Sequence, residues 1–178
     1  KDLEEKITKN IIIDFIKNNG NVLSRKNMIA HITTSAFIIN QNFTKTVFAF
    51  HNIYNSWAWI GGHNDGNDNC LEVAIKEARE ETGLKTISPV TNEAIMLDIL
   101  SVDAHYKNGK FIPDHLHLNI TYLLFGLENE QLKVKKDENK AVKWIDIEDM
   151  PKITNEAKMR PIYEKGLTRI KEIKKGFI

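Results

Sequence analysis

The sequence is short of cysteine and of any excess charge, and each shortage excludes a class of protein. The single cysteine, Cys70, cannot form an intramolecular disulfide and excludes a cysteine-based zinc site. The 25 Lys and Arg residues nearly balance the 24 Asp and Glu residues, so no overall field favours nucleic acid or an anionic membrane. We therefore expect a cytoplasmic protein with neither a nucleic-acid nor a membrane partner.

Long apolar runs are also missing. No stretch approaches the roughly 20 apolar residues of a membrane-spanning helix, and the charged first six residues are unlike a signal peptide. Hydrophobic residues make up 42% and charged residues 28%, which is the balance of an ordinary globular domain. The length predicts a single domain over residues 1–178, with residues 1–25 as an N-terminal helical extension.

The hydrophobic pattern predicts strands mixed with a few helices. Leu3, Ile7, Ile11 and Phe15 recur at four-residue spacing and predict a helix over residues 3–18, which is either a cap on the domain or a dimer element. The other predicted elements are strands over 30–39, 46–50, 94–102, 116–125 and 140–147, and helices over 71–82 and from Pro161 onwards. This mixture indicates an α+β fold.

The predicted helix over 71–82 carries a concentrated group of acids. Glu77, Glu80 and Glu81 fall on one arc of the helix, beside an arc of small and apolar residues. Such acids repel one another, and near a C-terminal helix end they also oppose the helix dipole. A solvated surface is the ordinary explanation of an acidic face. The placement, together with a close backbone approach allowed by Gly61 and Gly62, instead favours a divalent cation held by oxygen ligands.

The segment from Gly62 to Leu84 resembles the Nudix box, G-x5-E-x7-R-E-U-x-E-E-x-G-U, in which U is a bulky aliphatic residue. Six of its nine specified positions match outright: Gly62, Glu77, Glu80, Glu81, Gly83 and Leu84. Asp68 replaces the first Glu, Lys76 replaces the Arg and Ala78 replaces the first aliphatic residue. The spacing is intact over 23 residues, so the resemblance is specific.

The resemblance covers about residues 30–173 and implies a Nudix-type α/β/α sandwich with a mixed β-sheet and a loop-helix-loop catalytic box. The implied activity is metal-dependent cleavage, with Mg²⁺ or Mn²⁺, of a pyrophosphate bond in a nucleoside diphosphate derivative or a related small molecule. Glu80 and Glu81 would be the principal metal ligands, with the Gly62 carbonyl near the metal. Glu77 would be a ligand or would help to activate water. Lys76 would brace a carboxylate, without the planar fork of Arg.

Further candidates lie outside the box. Glu138 is favoured over Asp137 as an extra metal ligand, although an ordinary charged turn explains both acids equally well. Trp57 and Trp59 are both candidates for stacking on a nucleobase, with Trp57 preferred as a substrate-binding residue, although a core role for at least one of them is the default.

Several histidines are candidates for contact with the substrate. His115 and His117 share one face of a predicted strand, and His31 and His63 are the other histidines expected near them. No third metal ligand has a convincing spacing. The sequence therefore favours substrate contact by His63 and His117, or simply a polar sheet face, over a zinc site.

Three alternatives to hydrolysis compete. The first is a Nudix-fold sensor that binds a nucleotide or other ligand without catalysis, and the intact set of Glu77, Glu80 and Glu81 argues against it. The second, an isopentenyl-diphosphate isomerase, would need a catalytic cysteine well before the box, whereas Cys70 lies inside it. The third, a regulator with an added DNA-reading domain, would need a longer chain. The sequence leaves open the particular substrate and the choice between monomer and homodimer.

Overall fold

The structure is a computed structural model that describes residues 2–107 and 109–177. Its helices are α1 (Leu3–Asn18), α2 (Cys70–Thr82), α3 (Met150–Ile153) and α4 (Arg160–Lys175), with short 3₁₀ turns at Ile147–Asp149 and Ala157–Met159. Its strands are β1 (Ala30–Ile39), β2 (Lys45–His51), β3 (Ser56–Ala58), β4 (Ile60–His63), β5 (Ile87–Pro89), β6 (Met96–Val102), β7 (His105–Lys107), β8 (Lys110–Ile112), β9 (His115–Gly126) and β10 (Asn139–Asp146). None of the described helices is long and apolar enough to cross a bilayer.

Strand β1 is the centre of a mixed sheet. The main strand order is β10-β2-β1-β9-β5, while β3 pairs with β2, β4 with β1 and β6 with β9. Strands β1 and β9 run parallel, with Ala30 opposite Leu116 and Ile39 opposite Phe125. The other pairs are antiparallel, and β7 and β8 form a separate hairpin. The predicted α+β fold with a mixed sheet is confirmed.

Helices cover both faces of this sheet. Neighbouring side chains of a strand point to opposite faces, so Phe37 and Ile38 of β1 enter different cores. Phe37 packs with Tyr163 of α4, and Ile38 packs with Ala74 and Ala78 of α2. The sheet is therefore the middle layer of a sandwich, and α2 is anchored on one side of it by its small apolar residues.

Helix α1 caps the sheet through Ile12 and through Phe15, the one residue of the predicted stripe that packs against the same core cluster as Ile12. Its buried apolar residue is Ile12, which belongs to a core cluster with Ala30, Ile32 and Leu118. Within the four-residue stripe, Leu3 is 73% exposed, Ile7 52% and Ile11 50%. Ion pairs also hold the helix, because Arg169 of α4 lies 2.9 Å from Asp2 and 3.4 Å from Glu5.

The predicted long elements are confirmed, and the missed ones are short. Helix α2 ends at Thr82 as predicted, and the following Gly83 adopts a left-handed conformation with φ of 71° and donates its N–H to the Arg79 carbonyl. The polar loop before α2 begins only after His63, which is the last residue of β4. Strands β3, β4, β5, β7 and β8, each of three or four residues, were not predicted.

Candidate active site

A cleft of about 500 Å³ lies where β4 leads into α2. Carboxylates from α2 and histidines from the sheet are prominent among the titratable side chains of its walls. The lining carboxylates of α2 are Glu77, Glu80 and Glu81, and the lining histidines from β1, β4 and β9 are His31, His63, His115 and His117.

The loop between β4 and α2 is held in place by the side chain of Asn64. Its Oδ1 accepts a hydrogen bond from the Thr34 hydroxyl at 2.8 Å, and its Nδ2 donates to the Asn67 carbonyl at 2.9 Å and to Cys70 Sγ at 3.2 Å. Asn69 then caps α2 by accepting the Glu72 N–H at 3.2 Å. These bonds tie the start of α2 to β1, so the carboxylates of the helix are directed at the end of β4.

Glu81 is the most buried of the three carboxylates, with 4% of its surface exposed. Its Oε1 accepts the Gly61 N–H at 2.9 Å, and its Oε2 accepts from Asn139 Nδ2 at 2.8 Å. Burial raises the pKa of Glu81 to about 7, although both hydrogen bonds act in the opposite direction. The carboxyl group is therefore fixed in orientation and is able to exchange a proton near neutral pH.

Glu77 lies against the backbone of Gly62. The side chain is 7% exposed, and burial raises the pKa of its carboxyl group. A Cβ at Gly62 would lie 2.6 Å from Glu77 Cδ and 2.9 Å from each carboxylate oxygen. The expectation that Gly62 lets the backbone approach a bulky neighbour is confirmed, and the neighbour is a carboxylate.

Two lysines lie among the acids of the cleft. Lys76 Nζ is 3.5 Å from Glu77 Oε1 and 3.7 Å from Glu80 Oε1. Lys135 Nζ is 3.4 Å from Glu80 Oε2 and 3.1 Å from Glu138 Oε2. Glu138, from the segment before β10, is thereby brought to the carboxylates of α2. Sequence reasoning missed Lys135, because nothing distinguishes it from its neighbours in a charged turn.

The histidines converge from three adjacent strands. The parallel register places His31 of β1 opposite His117 of β9, and His63 of β4 pairs opposite Thr33 of β1. Ring centroids are 5.1 Å apart for His31 and His117 and 5.0 Å apart for His63 and His117. Burial lowers the pKa of His63 to about 3 and that of His117 to about 2, so both rings are neutral at physiological pH.

A Nudix domain model matches residues 30–166 of the chain. The chain belongs to the Nudix family. This membership supports the enzyme class that the box implied, a pyrophosphohydrolase, and the matched residues include β1, α2 and β9. No curated protein gives a significant match.

Solved structures show the same Nudix fold at low sequence identity. A Nudix-family hydrolase from Clostridium perfringens is 21% identical with a TM-score of 0.56, and the match covers 80% of this chain and 97% of that one. An Ap4A hydrolase from C. elegans is 17% identical with a TM-score of 0.55, covering 75% and 93%. The dihydroneopterin triphosphate pyrophosphohydrolase of E. coli is 15% identical with a TM-score of 0.53, covering 77% and 94%.

Most of the predicted site residues line the cleft, whereas the aspartates Asp68 and Asp137 do not. The predicted residues among its described lining are Gly62, His63, Lys76, Glu77, Glu80, Glu81, His117 and Glu138. Asp68, which replaces the first Glu of the box, is exposed in the loop and absent from that lining, and Asp137 is likewise exposed and absent.

The preference for Trp57 as the residue that stacks on the substrate does not agree with its position. Trp57 packs against Phe50, with Lys143 Nζ 4.3 Å above its ring, and it is not among the described residues that line the cleft. Trp59 lines the cleft instead and meets Phe37 edge-on at 5.3 Å. Ala58, the last residue of β3, lines the cleft, so the alternation of side chains along the strand turns its neighbour Trp57 to the opposite face. Trp59 follows the end of β3, where this alternation no longer applies.

Proposed function

We propose that this Nudix protein is a metal-dependent hydrolase that cleaves a pyrophosphate bond in a nucleoside diphosphate derivative or a related compound. The observation that carries the proposal is the convergence of Glu77, Glu80 and Glu138, together with the buried Glu81, on one cleft beside the Gly62 backbone. A diphosphate carries clustered negative charge, so an enzyme that binds it beside acids needs cations between the two.

The donor set fits Mg²⁺ or Mn²⁺. All the acids offer hard carboxylate oxygens, which suit these ions, and the missing Cβ of Gly62 leaves its backbone in contact with the Glu77 carboxylate. We propose that Glu77, Glu80, Glu81 and Glu138 hold the ion together with the Gly62 carbonyl. When bound, the ion would neutralise phosphate charge and lower the pKa of a bound water.

Residues of the cleft would position the metal ion and the substrate. The two hydrogen bonds to Glu81 would hold its carboxylate in one orientation for binding the ion. Glu77 would be a further ligand or would help to activate the water. Lys76 would brace Glu77 and Glu80 by its ammonium charge. For the substrate, we propose contacts from His63 and His117, and a stacking face from Trp59 in place of Trp57.

The proposal extends to the domain organisation, the location and the partners of the protein. We propose a single domain over residues 1–178 that acts in the cytoplasm on a small molecule, as a monomer or homodimer and without nucleic acid. The near-balanced charge supports the absence of a nucleic-acid partner, and the single cysteine is consistent with a reducing cytoplasm.

The test is a hydrolysis assay with Mg²⁺ or Mn²⁺ on a panel of nucleoside diphosphate derivatives, dinucleoside polyphosphates and nucleoside triphosphates. Dihydroneopterin triphosphate and Ap4A belong in the panel because enzymes named for them share this fold. We expect metal-dependent turnover that falls by about 100-fold or more in Glu81→Gln. Glu72→Gln is the matched control, because it removes an exposed carboxylate from the same helix.

The alternative, a non-catalytic sensor, gives a different result in the same assay. It would show nucleotide binding by calorimetry and no turnover of any panel member with either metal. Equal turnover by Glu81→Gln and the wild type would contradict the role proposed for Glu81.

A further inference from the structure

The histidines of the cleft bring three nitrogen atoms close enough to share one ligand. His31 lies opposite His117 across the parallel pair of strands, and His115 is on the same face of β9 as His117. One ring nitrogen from each of His31, His115 and His117 lies within 4.8 Å of the other two. The parallel register therefore supplies from β1 the third ligand that sequence spacing did not reveal.

Hydrogen bonds to backbone carbonyls orient two of these rings. His31 Nδ1 is 3.0 Å from the Asn27 carbonyl oxygen, and His115 Nδ1 is 2.9 Å from the Pro113 carbonyl oxygen. A carbonyl oxygen only accepts, so Nδ1 of each ring carries the proton and Nε2 of each neutral ring presents a lone pair. Metal-binding histidines are characteristically oriented by such a bond from the other ring nitrogen.

One of the two lone pairs has no partner. His31 is 3% exposed, and its Nε2 makes no hydrogen bond to any residue that the structure describes. Leaving a buried acceptor unsatisfied is costly, so native structures rarely keep one without a reason. A hydrogen bond between His115 and His117 would account for those two rings but would still leave His31 Nε2 unused.

One of the three nitrogen–nitrogen distances, that between His115 and His117, already matches metal coordination. His115 Nε2 and His117 Nε2 are 3.2 Å apart. Two nitrogens bound to a tetrahedral Zn²⁺ at about 2.0–2.1 Å lie about 3.4 Å apart, so only small side-chain adjustments are needed for both to bind one ion.

We propose that His31, His115 and His117 form a site for a divalent transition-metal ion of the zinc class, separate from the carboxylate site and independent of the proposed hydrolysis. Neutral imidazole suits Zn²⁺, Ni²⁺ or Cu²⁺, whereas Mg²⁺ prefers oxygen ligands. Three protein ligands leave a coordination position for water or another ligand, as in open zinc sites. All three rings line the cleft, and His63 borders them with its ring 5.1 Å from that of His31.

The experiment uses the full chain, first stripped of metal with a chelator and then titrated with Zn²⁺ in a large excess of Mg²⁺. The excess Mg²⁺ occupies oxygen sites, so the titration reports nitrogen ligands. We expect one Zn²⁺ per chain and a rise in Tm. The affinity should fall by more than about tenfold in His31→Ala and in His117→Ala.

Two control variants test whether Zn²⁺ binds to the three histidines and not to neighbouring groups of the cleft. His105→Ala removes another histidine of the same cleft, whose ring is 6.3 Å from that of His115, and it should leave Zn²⁺ affinity unchanged. Glu81→Gln should also leave it unchanged, because that carboxylate belongs to the other site. A Zn²⁺ affinity that falls in Glu81→Gln but not in His31→Ala would assign the ion to the carboxylates and overturn the proposal.

The wild-type protein provides a second measurement that does not depend on the folding of any variant. Co²⁺ bound by three imidazoles and water should give the strong visible absorption of a tetrahedral site, displaced by one equivalent of Zn²⁺. Failure of the wild type to retain Zn²⁺ against excess Mg²⁺, or only the weak spectrum of octahedral Co²⁺, would overturn the proposal. Loss of hydrolysis in any assay would not affect this test, so the two proposals fail separately.

Discussion

Gly62→Ala should disable the carboxylate site without changing any charge. The added Cβ would lie 2.6 Å from Glu77 Cδ, whereas ordinary contact begins at 3.4 Å, so the carboxyl group must retreat by 3.4 − 2.6 = 0.8 Å. Glu77 is 7% exposed and has little free space to move into. We expect the displaced carboxylate to misplace whatever it holds, and the packing strain to cost about 1–3 kcal/mol of stability.

The magnitude follows from the displacement. A misplacement of about 1 Å in a catalytic group costs about 100-fold in rate, which is about 2.7 kcal/mol of transition-state stabilisation. The assay is kcat/KM for the substrate that the panel identifies, at saturating Mg²⁺, with urea unfolding measured in parallel. Gly20→Ala is the control, because a Cβ there meets nothing within 4 Å.

A double variant tests the cause of the loss. Glu77→Asp shortens the side chain by one C–C bond of about 1.5 Å, which makes room for the new methyl group. Gly62→Ala combined with Glu77→Asp should therefore be no slower than Glu77→Asp alone, a non-additive result. A wild-type value of kcat/KM in Gly62→Ala would refute this reasoning. It would also be refuted if the losses of transition-state stabilisation in the two single variants add up to the loss in the double variant.

Three further predictions concern the stability of the fold. Gly166→Ala should lower the free energy of unfolding by about 1–3 kcal/mol, because its Cβ would lie 2.5 Å from Phe37 Cε2; an unchanged urea midpoint would contradict this. In metal-free protein, burial lowers the pKa of His63 to about 3 and that of His117 to about 2, so the unfolded chain binds protons more tightly. Below pH 6.5 each ring should therefore remove about 1.4 kcal/mol of stability per pH unit, levelling off at its folded pKa. Buried carboxyl groups of α2 change the free energy of unfolding with pH in the opposite direction, so wild type must be compared with a variant. The measurement is urea unfolding of wild type and His117→Gln between pH 7.5 and 5. Equal dependence of their unfolding free energies on pH would contradict the prediction. Asn64→Ala should lose about 1–2 kcal/mol and speed proteolysis of the loop before α2, because it removes three hydrogen bonds; wild-type proteolysis rates would count against this role.

The long elements were predictable from the sequence because each has a local cause. Helix α2 has an apolar stripe, small residues and a glycine at its C-terminal end, and β1 and β9 are long β-branched or alternating runs. The short strands β3 and β4 are interrupted by tryptophans and glycines and are stabilised by pairing with β2 and β1. Their formation depends on tertiary contacts, which local patterns do not contain.

Helical geometry alone could bring residues of the candidate site together only where they lie in one segment. Glu77, Glu80 and Glu81 share a helix, so helical geometry alone places them together. Lys135 and Asn139 reach them from the segment before β10 and from its first residue, and no spacing rule relates these residues to α2. The histidines were expected near one another, but the placement of His31 directly opposite His117 depends on the register of a parallel strand pair, which a sequence pattern cannot give.

The parallel pairing of β1 with β9 also bears on how the chain folds during synthesis. Thr33 of β1 and Asn119 of β9 are hydrogen-bonded partners separated by 86 residues. At about 5–20 residues per second, a ribosome takes roughly 4 to 17 s to add that interval. Throughout this time one edge of the central strand lacks its partner while β2 and β4 can already pair with its other edge. The nascent chain therefore exposes an unpaired edge with an apolar surface, which is the kind of intermediate that chaperones bind.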